Sequence, residues 1–441
     1  MLDMNYIREN EAAIREAVEW KNLSLNLGTL LSVDDERRSL MQEVEALYAK
    51  KNEVNEGMKS AKTPEERAPY IEQGKIIKDE VEKLEPKLRE VKEAWHKLMV
   101  QVPNVLSPDT IRGKSEDDNK EVYQKGEKRN FDFTPKTHIE LAEDLGLIDF
   151  DRGVKTAGYR GYYLTGDGAM LTMALMHWAM AELSAAGFRP MIVPTLVKGA
   201  ALFGSGYFKG TEYNTEVDEV YQVASPDKNA DGTDSKEDKF LAGTAEPSLL
   251  HYYAGEVLEE SALPIRLVGY SPCYRSEIGS YGKDTKGLYR VHEFYKVEQV
   301  ILTTADVALS TQLHDQMVGY SEMLHTKLGL PYRKLAIASG DMSAGKYRAF
   351  DLEAWMPGMD RWGETGSASN FLDWQARRLN VKYTDAKTGE RKYVYMLNNT
   401  ALPSPRTLIA LLENYQNADG SITIPEVLRP YMGKDRITKP Q

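Results

Sequence analysis

Two apolar stripes near the start of the chain constrain its shape more than any other feature. Leu40, Val44, Leu47, Lys51, Val54 and Met58 step by four and three in turn, with charged residues in the gaps. Ile77, Val81, Leu84, Leu88, Val91, Trp95 and Leu98 repeat the alternation. A stripe that returns every 3.5 residues or so faces a single partner helix along its whole length. Between the stripes, Thr63-Pro64-Glu65-Glu66 supplies an N-cap hydroxyl, a first-turn proline and acids at the positive end of a new helix. The stripes therefore predict an antiparallel helical hairpin over about 35–100, roughly 50 Å long if each limb has ~35 residues at ~1.5 Å rise.

A two-helix hairpin buries one seam and is marginal alone, so it predicts a globular base from which it projects. At 441 residues the chain has room for both. The polar segment from Val102 to Gly126, with Pro103, Pro108 and Gly113, reads as a linker. We expect one unit over 1–112, containing the arm, and a second over 113–441. In the second, a helical pattern marks Ala169–Ala186. Strand-like runs mark Met191–Val197, Ile265–Tyr270, Val297–Thr303, Tyr332–Ile337 and Ala349–Trp355. Strands outnumber helices without regular alternation, which favours an α+β fold with an antiparallel sheet flanked by helices. The stretch Ser225–Asp238 is polar and reads as a surface loop.

Composition removes several classes of function. The single cysteine, Cys273, excludes an internal disulfide and a paired-thiolate metal site, and the seven histidines show no metal-ligand spacing. No zinc is expected. A formal charge of −11 argues against non-specific binding to phosphate backbones, so no DNA partner is expected and any RNA contact must be local and shape-driven. The N-terminal segment has no uninterrupted apolar core and no run reaches the length of a membrane span, so no membrane partner is expected and the expected location is cytoplasmic.

Neither glycine cradle for nucleotides occurs, so phosphate must be held another way. The densest candidate is Tyr270–Val300, which reads as strand, glycine-rich loop and strand. Arg275 and Glu277 on the first limb are two apart and would share a strand face, as would Phe294, Lys296 and Glu298 on the second. Surface ion pairs contribute little and buried ones cost desolvation, so a binding site explains such charges better than stability does. The solvated edge hairpin remains the alternative at this level. The connecting loop, Gly279 to Gly287, is flexible enough to fold over a ligand.

The run PCYRSEIGSYGKDTKGLYRVHEFYKVE resembles the second signature motif of seryl-tRNA synthetases, which are class II aminoacyl-tRNA synthetases. Phe188–Val197, with Pro194, resembles the first motif, and Asn398–Met432 the third. The opening residues, the hairpin, Thr244-Ala245-Glu246 and Glu364–Arg378 agree as well, so the resemblance covers nearly the whole chain. It implies a ligase that activates L-serine with ATP and loads it onto serine tRNA, tRNA(Ser). Acceptance of a selenocysteine tRNA, tRNA(Sec), stays open. Arg275 and Arg406 are implied to be catalytic, gripping the α- and γ-phosphates. The implied ATP-binding set is Arg275, Glu277, Arg290, Val291, His292, Phe294, Glu364, Thr365, Gly366, Ser367 and Arg406, with Glu277 at the adenine amine and Phe294 stacking on the ring. The implied serine-binding set is Thr244, Ala245, Glu246, Arg275, Glu298, Asn398 and Thr400.

Glu364 and Ser367 would hold a magnesium ion, Mg2+, that enters with ATP, as hard oxygen ligands for a hard cation. The resemblance also implies a homodimer in which the arm of one subunit reaches tRNA bound to the other. Glu293, Tyr295, Thr365 and Gly366 depart from the usual pattern without removing an assigned charge. Two rivals use the same residues differently. A ligase that loads a carrier protein would lack the hairpin, and an inactive scaffold would lose Arg275, Glu298 or Arg406; this chain keeps all of them.

Overall fold

A computed structural model describes residues 1–278, 282 and 284–439. Two short helices, α1 (Met4–Glu9) and α2 (Glu11–Trp20), precede the predicted hairpin of α3 (Leu27–Ser60) and α4 (Pro64–Met99). The hairpin seam is the heptad stripe: Leu40, Val44, Leu47 and Val54 are buried against Ile77, Val81 and Leu88. Lys51 is the exception, exposed with its ammonium 5.7 Å from the Tyr48 ring centre. The turn into α4 is built as the sequence predicts. The Thr63 hydroxyl accepts from the Glu66 amide at 3.2 Å, and the Glu66 carboxylate accepts from the Thr63 amide in return. At the base, buried Asp34 accepts from Arg8 at 2.7 Å and Arg37 at 2.6 Å, tying α1 to α3.

The arm does not hang on a free linker. Leu2, Ile7, Ile14, Leu30, Met99 and Val102 form one core cluster with Phe371 and Trp374 from far along the chain. Asn104 is buried and donates to the carbonyls of Gly345 and Phe371. The segment expected to be a linker even supplies a strand, β1 (Lys120–Lys125). It is an edge strand, paired on one side only, so its mostly polar residues can face solvent.

The base is one eight-stranded sheet. Its other strands are β2 (Arg189–Ile192), β3 (Ile265–Tyr274), β4 (Glu293–Thr303), β5 (Tyr332–Ala336), β6 (Arg348–Met356), β7 (Arg361–Asn370) and β8 (Tyr395–Pro403). The spatial order is β1-β5-β6-β7-β8-β4-β3-β2, antiparallel throughout except for the β2–β3 pair. The expected strand Met191–Val197 is divided: β2 ends at Ile192, Pro194 lies in the break, and Leu196–Lys198 joins a small separate sheet. Proline has no amide to continue a ladder, which accounts for the break.

Five further helices matter to the site: α5 (His138–Leu145), α6 (Gly166–Ala185), α7 (Val307–Lys327), α8 (Trp374–Leu379) and α9 (Ser404–Asn414). One sheet face packs on α6, α7 and α9, where Leu171, Leu175, Met317, Leu324, Leu408 and Ile409 meet Val297, Ile301 and Leu397. Ser225–Asp238 is largely exposed and irregular, as its composition predicts.

Candidate active site

On the face of the sheet opposite those helices lies a cavity of about 750 Å³. Strand alternation assigns its floor. In β4, Val297 and Ile301 point to the helices, while Phe294, Lys296 and Glu298 line the cavity. In β8, Asn399 donates to Ser321 of α7 at 2.7 Å, whereas Asn398 and Thr400 face the cavity.

Strand β7 needs an irregularity to do the same. Glu364 and Ser367 are three apart, so a regular strand would put them on opposite faces. The register against β6 shifts between Leu352, opposite Gly366, and Glu353, opposite Glu364. This bulge turns Glu364 and Ser367 into the same cavity, with Thr365 on the other side, its hydroxyl 2.7 Å from His325 Nε2.

Among the residues expected at the site, Thr244, Glu246, Arg275, Glu277, Arg290 and Val291 all line this cavity, as do Phe294, Glu298, Glu364, Ser367, Asn398, Thr400 and Arg406. Four do not. Ala245 is packed in an apolar cluster with Leu249 and Leu267. The His292 ring lies between Tyr159 and Tyr221, with Nδ1 2.8 Å from the carbonyl of Arg275. Thr365 faces α7, as described, and Gly366 offers backbone only. One expectation of shape is also corrected. Strand β3 ends at Tyr274, before Arg275, and Glu277 has a left-handed backbone with φ of 55°. The two therefore converge through a turn rather than a shared strand face. Positions 279–281 and 283 of the expected flexible loop lie outside the described residues.

At one end of the cavity the charges are cationic. Arg406 projects from the first turn of α9, stacks 4.5 Å from the Tyr289 ring centre, and donates to the Glu364 carboxylate at 3.0 Å. Helix α9 is itself anchored by buried Glu413, which accepts from the amides of His138, Gly358 and Met359. His138 Nε2 in turn accepts from the Leu288 amide, steadying the base of the glycine-rich loop. Arg275 has no carboxylate within ion-pair distance among the described residues, and its guanidinium sits 5.7 Å from the Phe294 ring centre. Glu277 is paired with Arg290 at 3.3 Å and Arg160 at 3.7 Å.

At the middle of the cavity the charges are buried carboxylates. Glu298 accepts through one oxygen from Thr400 at 2.9 Å and Thr244 at 3.0 Å, and its Lys296 ion pair measures 3.8 Å. Glu246 accepts through one oxygen from Asn398 at 2.5 Å and Gln375 at 2.7 Å. Each carboxylate thus keeps a second oxygen without a protein hydrogen bond among the described residues. Burial, reinforced by the charge of Glu298, pushes Glu246 up to about 7. Burial likewise raises Glu298, although Lys296 opposes it.

Sequence reasoning placed Lys296 on the face of Phe294 and Glu298 without giving it a role, and missed Asp351, Gln375 and Lys346. Lys296 carried a signal, since it alternates with Phe294 and Glu298. Gln375 carried none, because its role depends on the packing of α8 against Glu246. Asp351, opposite Ser367 in the β6–β7 ladder, is pushed up to about 7 by burial and then by repulsion from Glu364. Glu364 itself is held low despite its burial, by Arg406 and then Arg275. Asp351, Glu364 and the Ser367 hydroxyl form an all-oxygen set that suits a hard divalent cation, with Arg406 paired to Glu364 at its edge.

A sheet antiparallel but for its edge pair, bearing converging arginines and carboxylates and no glycine phosphate cradle, is the catalytic core of a class II aminoacyl-tRNA synthetase. The family model described as tRNA synthetase class II core domain (G, H, P, S and T) matches residues 221–415, and the seryl-tRNA synthetase N-terminal domain matches residues 1–106. The chain is 41% identical over 436 residues to the serine–tRNA ligase of Deinococcus radiodurans, covering 98% of each chain. It is 38% identical to that of Treponema denticola, over 99% of this chain and 100% of the relative. The crystal structure of seryl-tRNA synthetase from Pyrococcus horikoshii complexed with ATP superposes with a TM-score of 0.88 at 32% identity, over 100% of both chains. The chain belongs to the seryl-tRNA synthetase family and is by reaction type a serine–tRNA ligase. No helix among the described residues is long and apolar enough to cross a membrane.

Proposed function

We propose that the enzyme joins L-serine to ATP as seryl-adenylate, releasing pyrophosphate, and passes the seryl group to a terminal ribose hydroxyl of tRNA(Ser), breaking the acyl–phosphate bond and releasing AMP. The observation that carries this reading is the meeting in one cavity of Glu246, of Arg275 and Glu298 from one hairpin, and of Arg406, three separate stretches of chain. Arg275, without a carboxylate partner, suits the α-phosphate and the serine carboxylate, and Arg406 suits the γ-phosphate at the positive end of α9. Phe294 stacks the adenine and Glu277 accepts from its amine. The second oxygens of Glu298 and Glu246 take the serine ammonium and hydroxyl. Arg290 and Val291 line the nucleotide end, and Thr244, Asn398 and Thr400 orient the two acids.

Neither step requires a protein base; alignment of the serine carboxylate and neutralisation by the two arginines lower the barrier. Mg2+ would be held by Glu364, Ser367 and Asp351, and would supply further neutralisation of phosphate charge. Burial favours discrimination as well, since a ligand lacking the serine hydroxyl leaves an acceptor unpaired at about 1–3 kcal/mol.

Residues 1–112 form the tRNA-binding unit and 113–441 the catalytic unit, with the arm gripping the shape of the long variable arm of tRNA(Ser). An arm that reads shape would also accept tRNA(Sec) if its variable arm is similar. A homodimer is supported by an exposed apolar face at edge strand β2, where Ile192 is 88% and Met173 66% exposed. Working on ATP and tRNA, the enzyme is expected in the cytoplasm. The test is ATP–pyrophosphate exchange with each of the twenty amino acids, followed by charging of tRNA(Ser). Exchange supported by serine alone is expected; exchange with another amino acid, or with none, overturns the reading.

A further inference from the structure

The cavity lining continues beyond the residues read above as the ATP and serine sites. Its order along β7 can be read from the strand pairing. Glu364, beside Arg406, marks the phosphate end; Ser367 lies opposite Thr400 and Ser369 opposite Asn398, marking the serine level. Phe371 lies one further step along, and there the lining passes to Asp341, Ser343 and Lys346 on the loop between β5 and β6. Asp341 and Ser343 are exposed, so the cavity opens at this end. The reading above gives Asp341 and Ser343 no role with ATP or serine, and Lys346 none beyond the charge with which it favours the anions of Glu246 and Asp351.

Lys346 is a cation of this mouth, and Lys209 is a second lysine in the cavity lining. Its ammonium has neither an ion pair nor a side-chain hydrogen bond among the described residues, in a chain of net charge −11. The nearby loop acid, Asp341, is engaged by the Asn119 amide at 2.8 Å. The loop that carries Lys346 is held with unusual firmness from the N-terminal unit. Buried Lys21, at the end of α2, donates to the carbonyls of Asn104 at 2.9 Å, Ala344 at 2.9 Å and Lys346 at 2.7 Å. Asn104 adds its backbone amide to Ala344 and its side chain to Gly345. At Gly345 a Cβ would lie 2.7 Å from the Trp374 ring, so the loop sits hard against α8. A desolvated lysine whose amine donates to three carbonyls around a surface loop implies that the position of that loop matters.

We infer that Lys346 is a positioning residue for the third substrate: it holds a backbone phosphate next to the terminal ribose of tRNA, with Lys21 fixing the loop from the same unit that carries the arm. The inference rests on the functional reading above. Chemically it asks only for a polynucleotide end, whose cis-diol must reach the adenylate carbonyl while its phosphate meets a cation at the mouth. Lys346 takes no proton and forms no bond.

The experiment separates the two half-reactions in the full-length enzyme. For Lys346→Gln, Lys346→Met and Lys346→Arg, serine-dependent pyrophosphate exchange and single-turnover transfer from preformed seryl-adenylate to tRNA(Ser) are measured side by side. Transfer is expected to fall by at least roughly tenfold more than exchange in the Gln and Met variants, with the loss appearing in the KM for tRNA, and to recover in the Arg variant. Parallel loss of both half-reactions, or undiminished transfer, overturns the inference. Absence of serine-dependent exchange in the unsubstituted enzyme would instead remove the functional reading beneath it.

Discussion

Arg275 and Glu246 illustrate how single side chains are made reactive by what surrounds them. Arg275 meets no carboxylate among the described residues, so its charge is available to an incoming anion. Arg275→Ala should lower serine-dependent pyrophosphate exchange by roughly a thousandfold, comparable to removal of a transition-state donor elsewhere. Near-normal exchange in that variant would take Arg275 out of the mechanism. Glu246 titrates near 7 because burial, then the charge of Glu298, disfavours its anion, against the pull of Gln375, Lys296 and Lys346. In the proposed reading its ionised form is the one whose second oxygen can accept from the serine hydroxyl.

The apparent KM for serine should therefore fall as pH rises through about 7, and Glu246→Gln should remove that dependence from the pH profile. The effect on stability has the opposite sense. A carboxyl whose folded pKa lies above the unfolded value of 4.5 keeps its proton longer in the native state, so the substrate-free fold loses stability as pH rises from 4.5 to about 7. Thermal melts of Glu246→Gln across that window should show a flatter slope than those of the unsubstituted enzyme.

Among the elements, the arm is the one most completely specified by its own sequence. Its limbs of 34 and 36 residues are joined by a tight turn whose capping box satisfies two orphan amides. Thr63→Ala should cost about 1 kcal/mol locally, visible as faster hydrogen exchange at the first turns of α4 with the sheet unaffected. Excision of Glu43–Lys92 with a short closing turn should leave adenylate formation intact and cripple tRNA charging; unimpaired charging would make the arm a mere spacer. Strand β7 is the converse case. Its sequence, RWGETGSASN, has almost no strand character, yet it lies in the middle of the sheet. Its polar residues are there because one face is the cavity floor, and its bulge at Thr365 exists because Glu364 and Ser367 must share that face.

For the molecule as a whole, the consequential feature is that the N-terminal unit and the catalytic sheet share one core. Trp374 packs with Leu2, Ile7 and Met99, and the next residue, Gln375, holds Glu246. A disturbance at the base of the arm is therefore one residue away from the proposed serine pocket. The opposite surface, around Ile192 and Met173, is apolar and open. In the proposed dimer, combining Ile192→Asp with Met173→Glu should give a monomer in sedimentation analysis and abolish charging, since the proposed contact of the arm with tRNA on the partner would be lost. A double variant that sediments unchanged would move the subunit contact elsewhere.

Much of this protein was settled by sequence alone: apart from the thirteen candidate residues that line the cavity, which the family resemblance supplied, the settled features are the hairpin, its capped turn, helix α6 and the apolar strands. Those features depend on spacing between chain neighbours, which local geometry translates directly into a face or a cap. Only the folded chain decided that Ala245, His292, Thr365 and Gly366 turn away from the cavity, that the supposed linker becomes β1, and that Gln375, Asp351 and Lys346 belong near the reacting groups. Glu246 meets Asn398 across 152 positions of sequence and Gln375 across 129. Strands that floor a polar cavity exchange their apolar signature for hydrogen-bonding groups, so the pattern that would reveal them is absent where the site is built, and partners so distant are chosen by packing rather than by period.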